Sequence, residues 1–151
     1  MSYCVRYFIT LIFIGFALHA SAAEQDKIED SQIKDGKKLI GKMLDQYATA
    51  AGGWYLNERC HFLSDNLKKQ FYSNIANCTI KLEKVILANA KMLISIQRSG
   101  EKVAADTKAY PCGAKLTNDL VVETFLMSKE LSETLNYIEN EWAQHTNRGG
   151  R

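Results

Sequence analysis

Leu67, Phe71, Ile75, Cys78, Leu82 and Val85 follow one another at steps of four and three residues, a spacing that puts all six on one face of an α-helix. Two other stretches repeat it. Leu116, Leu120, Leu131, Leu135, Ile138 and Trp142 form a stripe toward the C-terminus, widened by Val121 and Phe125. Ile33, Ile40, Met43, Leu44 and Tyr47 form another in the first third of the chain. The chain has one proline, Pro111, and strand-like alternation of apolar and polar residues is hard to find in it. The expected fold is all-α, a small antiparallel bundle of about four helices.

Punctuation residues suggest the boundaries. Gly52-Gly53 reads as the stop of the first helix, Ser64-Asp65 as the start of the next, and "YPCG" followed by Thr117-Asn118-Asp119 as the start of the last. The segment from 64 to 110 is harder, because Leu93, Ile96, Gly100, Val103, Thr107 and Tyr110 continue the stripe almost in phase. A single helix of that length would run roughly 70 Å. A compact chain of this size has a radius of gyration of only about 14 Å, so the helix must break. Ser99-Gly100 is one place to break it, but the second piece would then be too short to run back along the first. Asn89 is the other, since a polar residue on an apolar stripe is well placed as an N-cap. A break there gives arms of roughly 33 and 28 Å and leaves Gly100 as a point of close helix approach.

The N-terminus carries Arg6, an apolar run from Phe8 to Ala20, and small residues at Ala20 and Ala22, the pattern of a secretory signal cleaved after residue 22. The apolar run falls short of the roughly 20 residues that span a bilayer; an uncleaved anchor is the rival reading. Cys4 precedes the run and so is not a lipid-modified cysteine of the kind that follows a lipoprotein signal. The expectation is a soluble periplasmic or secreted protein with no transmembrane anchor after cleavage. A single helical domain would cover 23–145 and a disordered tail 146–151. Cleavage would remove one of the 19 basic residues and none of the 17 acidic ones. So nearly neutral a chain has no electrostatic footprint for nucleic acid or anionic membrane.

An oxidising compartment favours disulfides, and Cys60, Cys78 and Cys112 remain after cleavage. With helices running up, down and up again from residue 64, Cys60 and Cys112 fall in junctions at one end of the bundle, where a bridge is feasible. Cys78 lies on the apolar stripe and is expected to be a free, buried thiol. A catalytic reading of Cys60 with His61 meets a geometric objection, since adjacent side chains point apart. His145, the other histidine of the mature chain, lies near the C-terminal end. No CxxC, HxxxH or CxxCH occurs, so no metal ligand, catalytic residue or cofactor is assigned. Glu29, Asp30, Glu139 and Glu141 read as solvated helix faces.

Trp54 and Tyr55, directly after Gly52-Gly53, are the candidates for contact with a partner, because exposed Trp and Tyr are enriched where proteins bind one another. The simpler reading is that they plug the end of the bundle. The function expected is therefore a non-enzymatic, exported helical bundle that binds another macromolecule, an unidentified protein or other envelope partner. A carrier of small apolar ligands in a pocket between helices is the alternative, and a thiol-dependent enzyme comes third. A carrier requires an apolar cavity; a macromolecular binder requires an exposed Trp54/Tyr55 patch.

Overall fold

The computed structural model describes the backbone of residues 22–148 and the side chains of residues 34–145. Four helices follow in order: α1 (Ala22–Cys60), α2 (Asp65–Val85), α3 (Ala90–Ala104) and α4 (Lys115–Arg148), with no strand among the described residues. The expected signal peptide lies outside the described residues except for Ala22, the first residue of α1. The tail expected from residue 146 overlaps the end of α4; residues 149–151 lie outside the described residues. Two compact units are distinguished, divided between Gly41 and Lys42, a boundary inside the stretch expected as one domain. In the first unit Leu39 and Ile40 are exposed. The second unit, from Lys42, holds the bundle.

The long segment after residue 64 breaks at Asn89. Asn89 has extended backbone angles and its side-chain oxygen accepts from the Lys91 N–H at 2.8 Å, so it caps α3. Ser99 and Gly100 continue inside α3. Before the cap, Leu87 turns the chain with a positive φ of 52° and stands exposed.

Contacts set the directions of the helices. Tyr47 meets Thr79 and Trp54 meets Phe71, which makes α1 and α2 antiparallel. Tyr47 also meets Gln97, and Leu56 clusters with Ala104, so α3 returns parallel to α1.

The expected stop at Gly52-Gly53 is wrong: α1 runs through both glycines to Cys60. Their role is clearance. A Cβ on Gly53 would overlap the Thr124 side chain of α4, and one on Gly100 would lie 2.9 Å from the Gly52 backbone nitrogen. Tertiary packing of this kind outweighs the helix-breaking tendency of glycine, which is only about 1 kcal/mol per residue. The actual stop is His61. It takes a φ of 54°, the left-handed conformation that ends many helices, while its N–H bonds Asn57 O at 2.8 Å.

The core contains Phe71 edge-on to Phe125, and Leu82, Leu93, Leu131 and Leu135 are buried as well. The stripe read on α4 holds at Val121, Phe125, Leu131, Leu135 and Ile138, which are buried, and fails at its ends, where Leu116 and Trp142 are exposed; Thr117, Thr124, Ser128 and Ser132 are also buried. Two asparagines on α2 partner two of these hydroxyls: Asn74 donates to Ser128 Oγ at 3.1 Å, and Asn77 donates to Ser132 Oγ at 2.6 Å and Asn136 Oδ1 at 3.2 Å. A second polar chain ties three helices. Gln97 donates to the Tyr47 hydroxyl at 2.5 Å; because Thr79 donates its proton to Ile75 O, Tyr47 donates to Thr79 Oγ1 at 2.7 Å.

The three interior glycines make opposite demands. Gly53→Ala and Gly100→Ala are expected to lose about 1–3 kcal/mol of unfolding free energy through overpacking. Gly52→Ala should be neutral or stabilising, because its Cβ would meet only Gly100 Cα at 3.9 Å. Urea titrations of the three variants read the difference.

Candidate functional site

One end of the bundle is stapled. Cys60, the last residue of α1, and Cys112, in the connection before α4, form a disulfide with Cα atoms 5.1 Å apart. The same junction holds a polar clamp. Asn57 is fully buried and its side-chain oxygen accepts from Leu63 N at 3.0 Å, which secures the turn out of α1. Arg59 donates to the carbonyl of Tyr110, two residues before Cys112. Buried Asn57 Nδ2, Arg59 Nε and Arg59 Nη1 have no protein partner. His61 is exposed and is the helix stop described above, and the Cys60 sulfur is committed to the disulfide.

Trp54 and Tyr55 do not form an exposed patch. Because α1 continues past Gly53, both are helical residues directed against neighbours and both are half-buried. The Trp54 ring sits edge-on to Phe71 at 5.6 Å and tilted against Tyr72 at 5.7 Å. Tyr55 packs on the cluster of Leu56, Ala104 and Val121, and burial pushes its hydroxyl pKa up, with Glu101 adding to the shift.

A pocket between helices is the alternative expectation from the sequence, with no residues assigned to it; the structure has a groove of about 500 Å³ walled by α1, α3 and the start of α4. Its volume falls within the range of roughly 300–1,000 Å³ typical of small-molecule sites. Gly53, Leu56, Gly100 and Thr124 are its buried wall. Met92 and Val103 stand exposed at its margin, and Tyr110 lines it from the stapled connection. The glycines bring α1, α3 and α4 into close contact at the buried wall, and the disulfide holds Tyr110 in place. A possible sequence signal was Gly52-Gly53 matched with Gly100, had those glycines been read as places where a helix surface is cut back.

Cys78 is the free thiol of the described residues. It is fully buried; its Sγ lies 3.7 Å from Ser128 O, and burial pushes its pKa up to about 12. Such a thiol is a poor nucleophile near neutrality. No group of three or more His, Cys, Asp and Glu among the described residues could hold a metal ion. Comparison with known protein families, curated proteins and solved structures finds no match, so the site stands on its geometry.

Removing the staple through Cys60→Ala with Cys112→Ala is expected to lower stability by about 4 kcal/mol, from the unfolded-chain entropy that the bridge suppresses over a separation of 52 residues. A urea titration of the double variant checks it. Cys78 predicts an alkaline limb. Its pKa is raised on folding, so its contribution is complete below the unfolded value of about 8.5 and is lost as pH rises toward about 12. In that window stability should fall by about 1.4 kcal/mol per pH unit on account of this thiol alone. Cys78→Ala, whatever its starting stability, should show a slope shallower by that amount between about pH 9 and 11 in pH-dependent urea titrations.

Proposed function

We propose that this protein is an exported, non-enzymatic carrier that holds a small apolar ligand in the groove between α1, α3 and α4. The observation that carries the reading is the groove itself, an apolar recess of about 500 Å³ floored by glycine and leucine. Three circumstances support it. Trp54 and Tyr55 are engaged in internal packing, which weakens the case for a docking patch built on them. The disulfide fits an oxidising compartment. No helix among the described residues is long and apolar enough to cross a membrane.

The macromolecular reading keeps one supporting observation. Met92, Ile94 and Val103 are exposed on α3, where an amphipathic helix of a partner would find apolar contact.

The test uses the processed, oxidised protein and N-phenyl-1-naphthylamine as a fluorescent probe. The expected result is saturable enhancement of its emission and a rise in Tm with ligands of about ten to sixteen carbons. At 100 times Kd the linkage amounts to about 2.7 kcal/mol of added stability. Ala48→Phe, which places a ring in the groove, should abolish the enhancement while circular dichroism stays helical. No enhancement by the probe and no shift with any chain length overturns the carrier reading.

A further inference from the structure

We infer that the occupant is an uncharged single-chain amphiphile, seated tail inward with a hydroxyl-bearing head at the rim. This inference rests on the carrier reading. No charged side chain lines the groove. An ionised head would therefore find no counter-charge among the residues that line the groove, and nothing there favours it over a neutral one.

The distribution of polar groups sets the orientation. At the buried wall the only side-chain polar group is the Thr124 hydroxyl. Its proton is directed into its own helix, toward Leu120 O at 2.8 Å and Val121 O at 3.0 Å. The wall therefore offers a ligand no donor, only carbon surface from Leu56 and the glycine backbones. The rim differs: Thr49 and Ser99 are exposed on facing helices, with Ser95 one turn before Ser99 on α3. An amphiphile placed tail first puts its head among these three hydroxyls.

The rim also selects the head. Thr49 donates to Asp45 O at 2.9 Å and Ser99 donates to Ser95 O at 3.0 Å. Each hydroxyl has one proton, so what these two offer a ligand is acceptor capacity. A head that both donates and accepts, such as an alcohol or a glycerol, satisfies these two and can also accept from the Ser95 and Tyr110 hydroxyls, whereas a carboxylate only accepts and so leaves Thr49 and Ser99 without a donor.

Displacement of N-phenyl-1-naphthylamine from the oxidised protein at about pH 8, below the critical micelle concentration of each competitor, tests this. The competitors share a twelve-carbon chain: 1-monododecanoylglycerol, dodecanoate and dodecylamine. The glycerol ester should bind at least tenfold more tightly than either ion. Thr49→Val combined with Ser99→Ala should weaken the ester about three- to tenfold once its displacement curve is corrected for the variant's own probe affinity. Dodecanoate or dodecylamine binding as tightly as the ester overturns the assignment of the head but leaves the carrier standing. So does an ester affinity indifferent to the double substitution. Probe binding that no competitor displaces overturns the tail-in placement, and absence of probe binding overturns the carrier reading as well.

Discussion

The approach of α3 and α4 onto the glycine pair of α1 is the constraint that organises the rest. Gly100 lies so close to the Gly52 backbone that a methyl group would not fit, and Thr124 occupies the space beside Gly53. Helices with ordinary side chains at the contact stay about 8–10 Å apart at their axes. Glycine removes the side chain that keeps them there, and so lets α1 and α3 run together as parallel neighbours. The groove lies alongside that close contact, with Gly53, Leu56, Gly100 and Thr124 as its buried wall.

The polar groups inside the bundle secure its register. Apolar faces can slide past one another at small cost, whereas a buried amide without its partner costs about 1–3 kcal/mol. Asn74 and Asn77 on α2 find Ser128 and Ser132 on α4 only in one alignment, and Gln97, Tyr47 and Thr79 link α3, α1 and α2 in another. The disulfide then fixes the end of the bundle at the connection to α4. With Tyr110 two residues from Cys112 and its carbonyl held by Arg59, that end of the groove is set by a covalent bond and a cationic donor together.

Much of this was legible before any coordinates. The spacing from Leu67 to Val85 announces a helix because burial of one face imposes the helical period on the sequence. Asn89 could be read as a break because the length of a helix and the radius of a compact chain cannot both be satisfied without one. The Cys60–Cys112 pairing followed from counting helix directions. Where reading along the chain failed, the missing information lay on another helix. Gly52-Gly53 has the composition of a stop, and only Thr124 and Gly100 reveal that it is a contact. Ser128 and Ser132 look like surface residues until Asn74 and Asn77 arrive opposite them. Trp54 and Tyr55 read either as partner contacts or, more simply, as internal packing, and only Phe71 and the Leu56 cluster show that they pack.

Period, length and cysteine placement are one-dimensional properties, and they were enough to determine an all-helical chain that turns at Asn89 and is stapled at one end. A groove is a property of surfaces brought together from α1, α3 and α4. Its walls come from residues 48 to 124, and no local pattern records that Gly53 will face Thr124 or that Thr49 and Ser99 will share a rim. Only tertiary packing decides which side chains meet, because the free energy of close contact depends on distances between residues far apart in the chain.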